Sequence, residues 1–268
     1  MPEISDQEFA RFQRFIFNAA GITLADSKKT LVTSRLAARL QQHELDSYAE
    51  YFRLISSGEQ PDEMQTAIDL LTTNETYFFR EPRHFEFLRE QIRRLLVQPQ
   101  PHPLRIWSAA GSTGEEAYSI AMVLEDMLPG RPWEVLASDI STRVLEKARN
   151  GHYPMERARH VPLPYLQRFC LKGHGKQEQT LLIDRSLRNK VRFVQINLNA
   201  ELPSIGQFDF VFLRNVLIYF NEATKREVIA RMVSVLRPGG WLFIGHSENL
   251  NGISEAVNSV APAIYRKP

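Results

Sequence analysis

Residues 104–116 read LRIWSAAGSTGEE, an apolar run that dissolves into small residues and two glycines before acidic residues open a helix. A strand delivers a ligand to a helix N-terminus in this way. A side chain at Gly111 or Gly114 would hold the ligand off the backbone, and glycine alone takes positive φ at low cost. A tight turn explains a lone GxxG equally well, so the flanking pattern decides. From Leu104 onward, RIWSA, WEVLASD, VRFVQIN, FDFVFLR and WLFIGH are apolar runs of strand length, and EEAYSIAMVLEDML, STRVLEKARN and NEATKREVIARMVSVL are helical segments among them. This alternation predicts an α/β fold with a doubly wound parallel sheet and ligands at the carboxyl ends of its strands. The final run, VAPAIYRK, follows WLFIGH too closely for a helical crossover and is expected to return antiparallel.

Upstream, Ser5 to about Thr72 reads as helix throughout, with apolar periodicity in EFARFQRFIFNAAG, DSKKTLVTSRLAARLQQHEL, SYAEYFRLIS and PDEMQTAIDLL. Ser5, Asp26 and Asp46 stand where N-caps are expected, and Pro61 suits a first helical turn. In the second segment Val32, Leu36 and Leu40 form an apolar stripe, while Lys28, Arg35 and Arg39 share another face. That face suits either an acidic partner or plain solvent. TNETYFFREP is neither periodic nor a strand, and a helix from about Arg83 to Leu96 precedes the Pro-rich break QPQPHP. The stretch from about Tyr153 to Lys190 interrupts the alternation with the amphipathic PYLQRFC, the turn KGHGKQ and the short run TLLID. It reads as an insertion with a small antiparallel hairpin, either a partner-binding element or a surface excursion.

The chain has 268 residues, 43% hydrophobic and 24% charged, enough for one large domain or one medium and one small. The formal net charge of +2 argues against a general nucleic-acid binder. No run approaches a membrane-spanning length and the first residues lack a secretion-signal pattern, so a cytoplasmic address without membrane insertion is expected. The single cysteine, Cys170, excludes an internal disulfide, and the seven histidines show no ligand spacing, so no metal is expected.

Asp139 closes the second strand, 28 positions after Gly111. A carboxylate there accepts hydrogen bonds from the ribose hydroxyls of an adenosine lying across the first strand; as an alternative, it caps the next helix. The loop AAGSTGEE lacks the GxGxxG of a dinucleotide site and sets Glu115 and Glu116 where phosphates would lie. Both carboxylates repel phosphate, which makes a dehydrogenase a weak reading. They suit a cationic sulfonium such as that of S-adenosylmethionine, or simply complement the helix dipole.

Together, TNETYFFREPRHF, RIWSAAGSTGEEAYSIAM, LASDISTRVLEKARNGHY, FLRNVLIYF and LRPGGWLFIGHSEN resemble, in order, the CheR-type chemotaxis receptor methyltransferase family. The resemblance covers nearly the whole chain. It implies a class I S-adenosylmethionine-dependent methyltransferase: a Rossmann-like doubly wound sheet with its last strand antiparallel. An N-terminal all-helical domain (1–73) would precede the methyltransferase domain (74–268), with a small antiparallel β-subdomain inserted at about 153–190. The implied activity is methyl transfer to glutamate carboxylates of methyl-accepting chemoreceptors, giving glutamyl 5-O-methyl esters and S-adenosylhomocysteine.

The resemblance assigns Asn74, Thr76 and Arg80 to the methionine end of the cofactor and makes Arg80 a guide for the incoming carboxylate. Tyr219 is its other catalytic candidate. Asn197, Leu198, Arg214 and Asn215 would flank the adenine and the tail, with Glu116 and Asp139 at the remaining cofactor positions. His246, Ser247 and Glu248 are expected to shape the end of the last parallel strand. Lys28, Arg35 and Arg39 would meet the acidic methylation helices of the receptor, and in some members the insertion captures a receptor C-terminal peptide by strand addition. The enzyme is expected to act as a monomer. Two alternatives stand beside this reading: a methyltransferase for another acceptor, and a cofactor-binding regulator without turnover. RNVLIYF is not the N/D-P-P-Y-like motif of an amino-group DNA methyltransferase.

Overall fold

In a computed structural model, described over residues 3–97 and 102–268, Ser5 opens the first helix through a reciprocal capping box with Glu8. Met1, Pro2 and most of the Pro-rich break lie outside the described residues. Four helices build the first unit: α1 (Asp6–Ala20), α2 (Lys29–Gln42), α3 (Tyr48–Ser56) and α4 (Pro61–Leu71). Their apolar stripes meet in one core around Phe12, Ile16, Val32, Leu36, Tyr48 and Tyr51. Two expected caps move. Asp26 begins a short 3-10 turn and accepts from Gln13 Nε2 at 3.1 Å, and the cap of α3 is Ser47, not Asp46, because Ser47 is the extended residue whose hydroxyl meets the Glu50 N–H.

The linker leads to α5 (Pro82–Leu96), after which β1 (Leu104–Ser108), α6 (Glu115–Met127), β2 (Trp133–Asp139) and α7 (Thr142–Asn150) follow as expected. The insertion contains β3 (His152–Pro154), α8 (Leu163–Phe169), β4 (Cys170–Lys172), β5 (Thr180–Ile183) and α9 (Arg185–Arg188). Its sheet has three antiparallel strands in the order β3-β5-β4, so the expected hairpin gains a strand that begins at His152. The main sheet continues with β6 (Val191–Gln195), β7 (Phe208–Leu213), α10 (Glu222–Val235), β8 (Leu236–Ile244), β9 (Asn258–Ala261) and β10 (Ile264–Arg266).

The seven strands run β6-β2-β1-β7-β8-β10-β9, parallel as far as β8 and antiparallel at β10 and β9. The expected single return strand is therefore a hairpin broken at Pro262 and Ala263, where Ala263 takes φ +61°. The RPGG segment lies within β8 as a bulge: Phe208 pairs with Leu236 and Phe210 with Trp241. Strand alternation sorts the side chains by face. Ile106, Phe210, Phe212 and Phe243 pack under α5 and α6, while Trp107, Val211, Leu213, Leu242 and Ile244 pack under α10.

From β1 the chain winds first toward β2 and β6 and later toward β7 and β8, so the topological switch falls beside β1 and opens a crevice at its carboxyl end. The helical unit covers that crevice. Asp69 of α4, itself buried, caps α7 across the boundary by accepting from the N–H groups of Thr142 and Arg143 (both 3.1 Å) and the Thr142 hydroxyl (2.8 Å). Ile22 bridges to Phe220, and the Thr23 N–H donates to the carbonyl of Tyr219 at 2.8 Å. Among the described residues no helix is long and apolar enough to cross a membrane.

Candidate cofactor and active site

A cavity of about 450 Å³ occupies the crevice, a volume suited to a nucleoside-sized ligand. Its walls come from three stretches far apart in sequence. The helical unit contributes Leu24, Lys28, Leu31 and Arg35, the linker contributes Asn74, Thr76 and Arg80, and the sheet's carboxyl edge, with the segments that follow its strands, contributes Glu116, Asp139, Asn197, Leu198, Arg214, Asn215 and Tyr219. Every residue assigned to cofactor or catalysis by resemblance thus reaches one space.

Asp139 is almost wholly buried at the end of β2. One carboxylate oxygen accepts from the Ser112 N–H and the other from the Ser141 N–H, both at 3.0 Å, so each keeps a lone pair for a ligand hydroxyl. Burial pushes its carboxyl up to about 6 against those two hydrogen bonds. The helix-cap alternative fails because Ser141 caps α7, its hydroxyl accepting from the Val144 N–H.

Glu116 accepts from the Ser108 hydroxyl at 2.7 Å and from Arg214 Nη1 at 2.8 Å. Arg214 is spoken for on its other side as well: Nη2 donates to the Arg80 carbonyl at 2.5 Å and lies 3.1 Å from Glu81 Oε2. Its guanidinium therefore braces the linker against Glu116. Arg80 is half-buried beside the Tyr77 ring; its side chain donates Nη1 to the carbonyl of Glu75 at 2.9 Å and makes no other hydrogen bond among the described residues. Tyr219 ends a 3-10 turn at 217–219 and is half-buried. That turn is pinned by Glu248, whose carboxylate accepts from the N–H groups of Gly245 (2.6 Å), Asn215 (2.9 Å) and Ile218 (3.2 Å), the strand-end role expected of this block.

Family models match almost the entire chain: the CheR methyltransferase all-alpha domain over residues 7–72, and the CheR methyltransferase SAM binding domain over residues 74–265. The chain belongs to the CheR methyltransferase family. Chemotaxis protein methyltransferase of Escherichia coli (strain K12) is 42% identical over 98% of this chain and 91% of its own length. Chemotaxis protein methyltransferase 2 of Pseudomonas aeruginosa is 44% identical over 97% of this chain and 92% of its own. The Salmonella typhimurium chemotaxis protein methyltransferase is 41% identical over 98% and 90%.

Several expectations for this CheR chain are corrected by the geometry. The two loop glycines do not make room for a ligand. A Cβ on Gly114, at φ +95°, would meet Ala148 Cβ at 2.9 Å, and one on Gly111 would meet Ser108 Oγ at 2.9 Å, so close packing of protein on protein requires both. Glu115 points away from the cavity, fully buried, with the Thr113 hydroxyl at 2.6 Å and Arg157 at 3.4 Å. Only one of the two loop carboxylates therefore faces the ligand space. The proposed basic face also divides. Lys28 and Arg35 line the cavity, and Arg35 donates to the Thr72 carbonyl at 2.8 Å. Arg39 is outside it, turned onto α4 and paired with the buried Glu63.

Two features escaped the sequence reading. Leu31 sits off the Val32, Leu36 and Leu40 stripe, and an apolar residue outside its helix's stripe is a signal for a second wall. Glu81, at φ +57°, binds Arg214, and its Oε1 accepts from Asn215 Nδ2 and from the His246 N–H, each at 3.3 Å. Glu81, His84 and His246 bring three potential ligand atoms within 4.8 Å of one another. The Arg214 guanidinium lies 3.1 Å from the same Glu81 oxygen, and a dication there would face that fixed positive charge. Burial and Arg214 push the His84 imidazole down to about 3, so it is neutral.

Proposed function

We propose that this enzyme transfers the methyl group of S-adenosylmethionine to glutamate carboxylates of methyl-accepting chemoreceptors in the cytoplasm, forming glutamyl 5-O-methyl esters and S-adenosylhomocysteine. The observation that carries the reading is the convergence of linker, helical unit and strand ends on one cavity in a CheR-family chain. The chemistry needs little machinery. A glutamate at neutral pH is already an anionic nucleophile, so no general base is required. Its attack on a sulfonium neutralises two charges, and exclusion of water with alignment of oxygen, methyl carbon and sulfur accelerates it.

In this reading Asp139 accepts from the ribose hydroxyls, Glu116 faces the cationic end of the cofactor, and Asn74 and Thr76 hold its methionine part. Asn197, Leu198 and Asn215 complete the wall around adenine and tail, with Arg214 as their brace. Arg80 guides the receptor carboxylate, and Tyr219 hydrogen-bonds beside the transferring methyl. The decisive experiment supplies the purified chain with S-[methyl-³H]adenosylmethionine and a receptor cytoplasmic fragment. Label should enter the receptor as an ester released by mild alkali; label that resists alkali, or none, would refute the assignment.

Ionised Asp139 is the better acceptor, so affinity for S-adenosylmethionine should weaken as pH falls through about 6, where its buried carboxyl takes up a proton. Calorimetric titrations between pH 5 and 8 should show this limb in the wild type and lose it in Asp139→Asn. An unchanged limb in the variant would remove Asp139 from the ribose contact.

For receptor docking the reading keeps Lys28, exposed at the cavity edge, and Arg35 beside it. Lys28→Glu should raise the KM for the receptor several-fold at low salt, and the difference should fade as salt screens it. A KM insensitive to this change at low salt would dismiss the docking role. The insertion offers a second surface, because β4 is an edge strand carrying the exposed Leu171, a geometry that lets a receptor C-terminal peptide add as a further strand.

A further inference from the structure

The linker that carries Thr76 and Arg80 has no ladder of its own to fix it, since residues 73–77 form neither helix nor strand. Side chains from outside hold its carbonyls instead. That of Asn74 accepts from the Ser112 hydroxyl at 2.9 Å and that of Arg80 from Arg214, both beside the carboxyl edge of the main sheet. Thr76 is held from another quarter. Its carbonyl accepts from Arg157 Nη1 at 2.5 Å, and Arg157 stands in the 3-10 turn Met155–His160 of the insertion. The same nitrogen lies 3.4 Å from Glu115 Oε1, an oxygen that is buried and accepts no hydrogen bond. Among the described residues Arg157 is the one cation within 4 Å of this carboxylate. Burial pushes the Glu115 carboxyl up, and the Thr113 hydroxyl and Arg157 work against that. At the end of the same turn the His160 ring lies 4.9 Å from the Tyr77 ring, over which the Arg80 guanidinium sits at 5.8 Å.

We propose that Arg157 is a positioning residue for methyl transfer: anchored on the buried Glu115, it holds the Thr76 carbonyl and thereby sets Arg80 at the cavity wall. The inference rests on the reading of Arg80 as the guide for the receptor carboxylate. The mechanical link is short. Arg80 Nη1 rests on the carbonyl of Glu75, the peptide unit next to the one Arg157 holds, so a displaced Thr76 carries the Arg80 guanidinium with it. The insertion thus contributes to the chemical step as well as offering an edge strand. It does so from behind the wall, because among the described residues none of 151–190 lines the cavity.

The test is a double-mutant cycle on the full chain, read as single-turnover transfer to a receptor fragment at saturating S-adenosylmethionine. Arg157→Met alone should slow transfer about 10- to 100-fold, the loss expected when a reacting group is misplaced by about an ångström. In an Arg80→Ala background the same substitution should change the rate by less than about twofold, because no guide is left to misplace. Equal losses in both backgrounds, or no loss in the first, would overturn the inference. Hydrogen exchange reads the cause without turnover: the peptide spanning 73–80 should exchange at least about threefold faster in Arg157→Met, with β1 unchanged. Unaltered exchange in that peptide would equally overturn it. Arg157→Lys should return the rate to within about threefold of wild type, since one nitrogen makes both contacts and a point charge can replace it. A lysine variant as slow as the methionine one would count against the role. If Arg157→Met is too unstable, Glu115→Gln added to it removes the stranded charge, and the pair should remain as slow relative to Glu115→Gln alone. Recovery of the rate in the pair would move the effect to the ion pair and sink the Thr76 contact. Should Arg80→Ala by itself cost nothing, the guiding role of Arg80 falls, and the inference with it.

Discussion

Arg80→Ala is expected to lower the methyl-transfer rate by about 10²- to 10³-fold, the range typical for loss of a charged group that acts in the transition state. Affinity for S-adenosylhomocysteine should change by less than about threefold. The contrast follows from where the guanidinium is anchored. One nitrogen of Arg80 is tied to the Glu75 carbonyl at 2.9 Å, and its backbone carbonyl is fixed by Arg214, so the side chain is held at the cavity wall with donors left for an incoming anion. Binding of the demethylated product involves no receptor carboxylate. Single-turnover transfer to a receptor fragment, set beside calorimetric binding of the product, separates the two effects. Parallel losses in rate and product affinity would make Arg80 a cofactor anchor and remove its guiding role.

Arg39→Met should cost about 3 kcal/mol of folding stability, as expected when one partner of a buried ion pair is removed and the other charge stays behind. Glu63 is 5% exposed in the core between α2, α3 and α4. It receives Arg39 Nε at 2.8 Å and the Tyr51 hydroxyl at 2.6 Å, with His43 Nε2 at 3.0 Å. Despite burial, these partners hold its carboxyl down at about 2, below the 4.5 of a free glutamate. A carboxyl depressed in the folded state contributes stability that is complete above 4.5 and is lost as pH falls toward 2. The gap between wild type and Arg39→Met, from urea unfolding, should therefore be widest near pH 7 and narrow toward pH 3. A gap of equal size at both pH values would mean that packing rather than charge is responsible. Arg39→Glu is a poor probe of docking for the same reason, since it sets a second carboxylate against Glu63.

Much of this architecture was legible because it rests on local pattern. The strand and helix alternation after Leu104, the apolar stripes of the helical unit and the Ser5 cap all follow from periodicity and capping chemistry, and each appears where expected. What was not legible depends on pairing across the chain. RPGG reads locally as a turn, yet the β7 ladder holds it as a bulge. Glu115 and Glu116 are neighbours at a helix start, and 100° of rotation sends one into the core and the other to the cavity. Arg39 shares a spacing with Arg35, and only the fold reveals Glu63 opposite it.

For the candidate site, glycine loop and Asp139 pointed to the crevice, whereas Asn74, Arg80 and Tyr219 carried no local signal beyond family resemblance. They meet because a linker and a 3-10 turn are folded against strand ends more than a hundred residues apart in sequence.

The reach of Asp69 across the domain boundary bears on how such enzymes can diversify. A helical module without an acceptor at this position would leave the Thr142 and Arg143 N–H groups at the start of α7 without their partner, and only the Ser141 cap would remain. The exposed side of α2 can therefore change without disturbing this boundary, whereas a change at Asp69 is felt on both sides of it.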